Sequence, residues 1–130
     1  MNHNIKITKT RDHNFGKFAE QTIAEHYVAK GYAILERNWR LGNKIEIDII
    51  AQRDNIVAFV EVKARSGNDM DAADAVSRDK MKRMVRGSEV YLSSLKGEHE
   101  YRYDIATLTG DFNNYEIEIF EDAFLAPDLF

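Results

Sequence analysis

Two stretches in the middle of the chain alternate between charged and aliphatic residues. Residues 44–51 read KIEIDIIA, and residues 56–64 read IVAFVEVKA. Side chains two positions apart point to the same face of a β-strand, so both stretches are predicted as strands. The polar residues 52–55 between them are typical of a hairpin turn. We therefore expect an antiparallel pair with its aliphatic side chains on the core face and its charged side chains together on the opposite face.

The remaining pattern predicts two helices and three further strands. Apolar residues at three-to-four spacing predict a first helix that begins near Asn14 and ends at Gly31. A second helix is expected from an N-cap at Ser77 to about Ser93. The other strands are expected over residues 32–40, 101–108 and 115–120. The order α-β-β-β-α-β-β indicates an α/β fold with a mixed central sheet flanked by helices.

The composition narrows the classes of protein. A chain of 130 residues, 44% of them hydrophobic, can bury one core, so we expect a single domain over residues 14–130 after a mobile tail over residues 1–13. The absence of Cys excludes disulfides, thiolate metal sites and a Cys nucleophile. No segment approaches the ~20 apolar residues of a membrane span, and the first residues lack the apolar core of a signal peptide. We therefore expect a cytoplasmic protein with no membrane partner.

Charge alone does not decide whether the protein binds nucleic acid. The chain has 18 cationic and 22 acidic residues, a net charge of −4, which argues against a general nucleic-acid coat. However, residues 78–86 hold five cations and one acid, and a second cluster is formed by Arg37, Arg40 and Lys44. Carboxylates gathered at a metal site would lower the net charge while still allowing phosphate to bind.

The charged residues of the predicted hairpin suggest a metal site. If Asp48 and Glu61 lie close together on one face, their like charges are unfavourable unless a cation intervenes. Mg²⁺ (or Mn²⁺) would bind the two carboxylates and a backbone carbonyl, for which Val62 is the candidate, and would keep positions for water and a substrate phosphate. Lys63 is placed to orient or deprotonate an attacking water. The alternative is an ordinary solvent-exposed strand face on which Lys63 pairs with Glu61.

Six blocks of sequence carry a resemblance to a known family. A strand Asp followed by a strand E-x-K, behind a first helix with a Glu, resembles the PD-(D/E)XK nuclease superfamily. Within it the chain is similar to the YraN-type family of bacterial proteins, which is distantly similar to archaeal Holliday junction resolvases. Two departures stand beside presumed site residues, since Ile45 and Ala19 occupy positions where that family has Gly. The blocks, in order, are GKFAEQTIAEHYVAKGYAILERNWR, EIDIIA, FVEVKAR, AVSRDKMKRM, RYDIA and EDAF.

The resemblance implies a restriction-endonuclease-like α-β-β-β-α-β core and a role for each carboxylate. It implies that Asp48 and Glu61 are metal ligands and that Lys63 is the catalytic lysine. Glu20 on the first helix would reach the metal through water or hold a second ion, or is a solvated surface residue. Glu46 would orient Lys63 or a DNA-binding Arg, or has a structural role.

Other residues have weaker assignments. Lys80 matches a lysine of the family's helix block and is a candidate phosphate contact, as are Arg65 and Arg40, although each also suits a solvated surface. Trp39 is expected to pack in the core or at the sheet edge. Asp104 is expected to pack or to pair in the neighbourhood of Arg102.

These observations lead to a functional expectation with open alternatives. The resemblance implies a Mg²⁺-dependent DNA endonuclease acting on branched or single-stranded DNA in recombination or DNA uptake. A junction substrate has two-fold symmetry, so junction cutting would favour a homodimer. The alternatives are a DNA-binding or adaptor protein that keeps the fold without turnover, and a nuclease that acts on RNA.

Overall fold

The computed structural model describes residues 2–66 and 76–130, and it describes side chains from residue 13 onward. Five strands and two helices make up these residues, with a short 3₁₀ helix at Ala126–Leu129. The helices are α1 (Asn2–Ala29) and α2 (Arg78–Ser93). The strands are β1 (Ala33–Leu41), β2 (Ile45–Arg53), β3 (Ile56–Arg65), β4 (Glu100–Gly110) and β5 (Tyr115–Phe120).

The five strands form one mixed sheet in sequence order, β1-β2-β3-β4-β5. Neighbouring strands are antiparallel except β3 and β4, which are parallel. A parallel pair needs a long crossover, and α2 lies in the segment that connects them. The predicted element order and the mixed sheet flanked by helices are confirmed, and the arrangement is consistent with a restriction-endonuclease-like core.

Both faces of the sheet are covered, which corrects the expectation that the hairpin has a single core face. One buried cluster joins α1 to the sheet and includes Ile49 and Val60. A second cluster joins α2 to the opposite face and includes Ile47 and Phe59. Because β3 is central, its alternate side chains enter different cores, and its charged residues lie on the α2 side of the sheet, where Glu61 contacts the helix.

Helix α2 approaches the sheet closely at one glycine. Its N-terminus is capped as predicted, since the Ser77 hydroxyl accepts a hydrogen bond from the amide of Lys80 at 3.1 Å. A Cβ on Gly87 would lie 2.9 Å from Ile45 Cγ2 and 3.3 Å from the ring of Trp39. Only glycine allows this approach, which seats the indole of Trp39 against Tyr91 in the core, as expected.

A buried ionic network joins α1 to β4. The fully buried carboxylate of Asp104 accepts hydrogen bonds from Tyr27 Oη at 2.7 Å and from Arg102 Nε at 2.9 Å. The amide of Asp122 donates to the same carboxylate at 3.0 Å, so the segment after β5 is held as well. The predicted pairing of Asp104 near Arg102 is confirmed, and every described contact of this carboxylate is structural.

Helix α1 begins earlier than the apolar spacing predicted. Its backbone is helical from Asn2, whereas the sequence placed the start near Asn14. Residue 1 and the side chains of residues 2–12 lie outside the described part of the chain, so the mobile tail and the domain limits stay predictions. In the described residues, neither helix combines the length and apolarity needed to cross a membrane.

Candidate active site

The candidate site lies where β2 and β3 stop pairing. Their register runs from Arg53 opposite Ile56 to Ile49 opposite Val60, while β2 continues along β1 as far as Ile45. The side chain of Asp48 enters the resulting gap, where its Oδ2 accepts a hydrogen bond from the amide of Val62 at 2.8 Å.

The Val62 carbonyl shares this gap. The N–H and C=O groups of one strand residue point to the same neighbouring strand, so this carbonyl is directed to the side on which Asp48 lies. The gap therefore holds the Asp48 carboxylate against the backbone of Val62, and the Val62 carbonyl as a metal ligand stays a prediction.

Asp48 and Glu61 are in direct contact. Burial and the neighbouring Glu61 carboxylate raise the pKa of Asp48 to about 7, and the Val62 amide partly opposes this shift by stabilising the anion. In the absence of a bound cation, the Asp48 carboxyl therefore keeps its proton up to about pH 7.

Glu61 is a buried carboxylate whose hydrogen bonding is incomplete. The residue is 7% exposed, and its Oε1 has no hydrogen-bond partner in the described structure. The nearest described cation to this oxygen is Lys80 Nζ, in an ion pair at 3.6 Å. A buried carboxylate oxygen without a hydrogen bond is costly, so this atom is open to a ligand that supplies positive charge.

Lys63 occupies a different position from the one that a Glu61–Lys63 ion pair requires. It lies half-buried on β3, opposite Thr107 of β4, and shares the α2 side of the sheet with Glu61. In the described part of the chain the side chain of Lys63 forms no ion pair or hydrogen bond. The alternative in which Lys63 pairs with Glu61 is therefore wrong, because Lys80 of α2 takes that place.

An open cleft of about 790 Å³ adjoins Asp48 on the α1 side of the sheet. Its wall includes Glu20 of α1, whose Oε1 lies 3.7 Å from Arg37 Nη2. Burial raises the pKa of Glu20, as does the nearby charge of Asp48, which places the two carboxylates in one electrostatic neighbourhood. The lining residues are His13, Gly16, Lys17, Glu20, Gln21, Arg37, Asn38, Arg40, Glu46, Asp48, Val62 and Ala64.

Asn38 belongs to the site and was missed by the sequence reasoning. It has a left-handed backbone (φ 52°) within β1, so Arg37 and Asn38 both line the cleft while Trp39 enters the other core. The side chain of Asn38 lies beside Glu20 and lowers the pKa of that carboxyl, which opposes the effect of burial. Asn tolerates this conformation better than most residues, and an Asn in an edge strand was the available signal.

Glu46 and Arg40 form an ion pair at the rim of the cleft. Arg40 Nη2 lies 2.9 Å from Glu46 Oε2, and the two residues are directly opposite on β1 and β2. The Arg40 side chain is 65% exposed, so its guanidinium remains accessible from solvent. Glu46 is therefore paired with an arginine and not with Lys63, and its role in orienting a DNA-binding arginine stays a prediction.

Arg65 lies away from this cleft. It lines a second cavity of about 870 Å³ formed by β3, β4 and β5, together with Thr107, Thr109 and Glu118. Glu61, Lys63 and Arg65 therefore share one side of the sheet, while Glu20 and Glu46 lie on the other. Asp48, in the gap, is the residue that connects the two groups.

The oxygen atoms in the gap fit a hard divalent cation. In the described residues no three His, Asp or Glu side chains converge as a ready metal cage. Mg²⁺ is commonly held by only one or two carboxylates, with water and substrate oxygens completing the octahedron. Asp48 and Glu61 supply two carboxylates, and Val62 supplies a backbone carbonyl. A cation bound between them would meet the Glu61 Oε1 atom that has no hydrogen-bond partner in the described structure.

Comparison with known proteins places these residues in a family context. The model of a family described as "Uncharacterised protein family UPF0102" matches residues 19–108, which include every predicted site residue. A UPF0102 protein of Phocaeicola vulgatus is 37% identical over 118 residues, covering 89% of this chain and 97% of the relative. A UPF0102 protein of Flavobacterium psychrophilum is 43% identical over 115 residues, covering 87% and 96%. These matches confirm the family resemblance drawn from the sequence blocks.

Proposed function

This chain belongs to the uncharacterised protein family UPF0102, and we propose that it is a divalent-metal-dependent nuclease that hydrolyses phosphodiester bonds in DNA. The observation that carries the proposal is the contact between Asp48 and Glu61 in the gap beside Val62. Two carboxylates in contact in a poorly solvated gap are unfavourable in isolation and become favourable around Mg²⁺ or Mn²⁺.

Each residue of the gap has a proposed role. Asp48, Glu61 and the Val62 carbonyl would hold the cation, and Glu20 would reach it through water across the cleft. A bound Mg²⁺ would lower the pKa of a coordinated water and offset charge on the scissile phosphate. Lys63, with no described partner, would orient the attacking water or take its proton.

The balance of the reaction is simple. The oxygen of water forms a new bond to phosphorus while the bond to the leaving oxygen breaks. The water gives up one proton and the leaving oxygen takes up one, so no oxidant, reductant or second cofactor is needed.

Branched or single-stranded DNA is the proposed substrate, in recombination or uptake. An open cleft with an accessible Arg40 at its rim suits a polyanionic chain better than a small enclosed ligand. A homodimer is part of the proposal, since a junction substrate would place a second copy across its two-fold axis. A cytoplasmic location is part of the proposal as well.

A cleavage assay tests the proposal. Labelled duplex, single-stranded and four-way-junction DNA and a matched RNA are incubated with Mg²⁺ or Mn²⁺. We expect wild-type cleavage of a DNA substrate, and a loss of about a thousandfold or more in Asp48→Asn and Glu61→Gln. The exposed Glu98→Gln is the matched control and should cleave normally.

Three results would count against this proposal. Equal cleavage by wild type and Asp48→Asn would mean that the activity does not come from this site. Binding of DNA with no cleavage under any metal condition would favour a binding or adaptor protein. Cleavage confined to RNA would reassign the substrate.

A further inference from the structure

Helix α2 presents a continuous row of positive charge that begins at the candidate site. Residues 80–86 contain four cations and no acidic residue: Lys80, Lys82, Arg83 and Arg86. We call these four residues the α2 cation track. The residues between them, Met81, Met84 and Val85, turn toward the core.

The outer members of the track have no acidic partner among the residues that the structure describes. Lys82, Arg83 and Arg86 make no ion pair with any residue in the described part of the chain. The protein as a whole carries a net charge of −4, so an uncompensated cluster of this kind is a local exception. Unpaired cations gathered on one helix face favour a polyanionic partner.

An aromatic ring supports two of these cations at the surface. Lys82 Nζ lies 5.5 Å and Arg86 Cζ 5.9 Å from the ring centroid of Phe130, which is 66% exposed. Cation–π contacts at this distance stabilise the two side chains in place and leave their charged ends open to solvent.

The track is continuous with the gap between β2 and β3. Residues three and four apart are neighbours on a helix surface, so Arg83 lies between Lys80 and Arg86, and Arg86 lies beside Lys82. Lys80 is 3.6 Å from Glu61. A phosphate chain with one phosphate near Glu61 would therefore meet Lys80 first and then the outer cations.

We propose that the α2 cation track binds the phosphate backbone of the nucleic-acid strand that leads into the candidate site. The inference rests on the proposed function for the identity of the polyanion and adds the surface along which it lies. The contacts are to phosphate, so the track contributes affinity and register without reading base sequence.

Binding measured without divalent metal tests this surface separately from catalysis. Fluorescence anisotropy in EDTA gives the dissociation constant for a labelled single-stranded DNA and for its duplex between 50 and 200 mM salt. The test variant is Lys82→Gln/Arg86→Gln. The control is Lys30→Gln/Lys96→Gln, which also removes two positive charges. These two exposed lysines lie just beyond the C-terminal ends of α1 and α2.

We expect the test variant alone to bind more weakly and with a shallower salt dependence. Each phosphate contact adds about 0.7 (single strand) to 0.9 (duplex) to the magnitude of the slope of log affinity against log salt, so losing two contacts lowers that magnitude by roughly 1.4–1.8. At 0.1 M salt the affinity should fall by about 10- to 100-fold. Adding Arg83→Gln to the test variant should remove one further phosphate contact, seen as a further decrease in the slope of log affinity against log salt.

Equal slopes for the two double variants would overturn the inference. So would wild-type binding to phosphatidylserine vesicles or to polyglutamate that is tighter than its binding to DNA, because the partner would then be of another class. A protein that binds DNA through the track in EDTA but never cleaves it would support this inference while contradicting the proposed nuclease activity.

Discussion

The carboxylate of Asp48 accepts a hydrogen bond from the amide of Val62 at 2.8 Å, across the gap where two paired strands separate. In a regular hairpin that amide would be available to a carbonyl of the neighbouring strand. Here the side chain of Asp48 takes the place of that carbonyl and lies beside the Glu61 carboxylate. The site is thus a local interruption of sheet pairing, occupied by a carboxylate.

The first prediction concerns the stability of the metal-free protein. Because burial and Glu61 raise the pKa of Asp48 from 3.8 to about 7, the folded protein keeps a proton that the unfolded chain releases in this range. The Asp48 contribution to stability is therefore complete below about pH 4 and is lost as the pH rises to about 7. Asp48→Asn should remove this term, so its stability relative to wild type should increase across the window by roughly 2–4 kcal/mol.

Urea unfolding in EDTA at pH 4, 5.5 and 8 measures this difference. Asp54→Asn is the matched control, because Asp54 is an exposed turn residue with a left-handed backbone that Asn also tolerates. Its difference from wild type should be constant with pH. A constant difference for Asp48→Asn would contradict the raised pKa.

The second prediction concerns the pH dependence of metal binding. A cation at Asp48 and Glu61 must displace the proton of Asp48, so Mn²⁺ affinity should rise with pH and level off above about 7. Below that pH the affinity should change by about tenfold per unit, as expected for release of one proton. Calorimetry in buffers of different ionisation enthalpy would count that proton, and binding that does not vary from pH 5 to 8 would contradict the raised pKa of Asp48.

The third prediction concerns the ion pair between Lys80 and Glu61. Removing the cation leaves a buried carboxylate without charge compensation, so Lys80→Gln should destabilise the metal-free protein by about 1–3 kcal/mol at pH 8. Saturating Mn²⁺ should recover most of this loss. Lys96→Gln, an exposed lysine just beyond the end of the same helix, should change stability by less than about 0.5 kcal/mol. Equal losses in both variants would show that Glu61 does not depend on Lys80.

The fourth prediction concerns the closest approach of α2 to the sheet. Ala at position 87 favours the helix by about 1 kcal/mol, but its Cβ would press on Ile45 at 2.9 Å. Overpacking a tight core costs about 1–3 kcal/mol, so Gly87→Ala should be net destabilising by about 1 kcal/mol. Thermal and urea unfolding measure this change, and a stabilised variant would show that the helix can shift outward freely.

The hairpin and its candidate ligands could be predicted from the sequence because their signals are local. The alternation of charged and aliphatic residues around Asp48 and Glu61, with a polar turn between them, predicted the two strands and their pairing. Alternation does not reveal, however, whether the face opposite a core is solvent or a second helix. That question depends on the crossover from β3 to β4, which places α2 over the charged side.

The contacts that shape the site are the ones the sequence could not supply. Lys80 contacts Glu61 only because α2 packs across the sheet. The separation of the two residues in the sequence does not predict this contact. The pairing of Glu46 with Arg40 depends on the register of β1, which has an irregularity between Ile34 and Glu36. The left-handed Asn38 further along the same edge strand was equally hidden, because alternation presumes a regular strand.

The central claim is that Asp48, Glu61 and the Val62 carbonyl hold one divalent cation. A crystal soaked in Mn²⁺ at pH 8 and measured at the manganese absorption edge tests it most directly. We predict one anomalous peak about 2.1 Å from oxygens of both carboxylates and from the Val62 carbonyl, and no peak there in Asp48→Asn. An empty gap in the wild-type crystal, or a peak that persists unchanged in Asp48→Asn, would contradict the account.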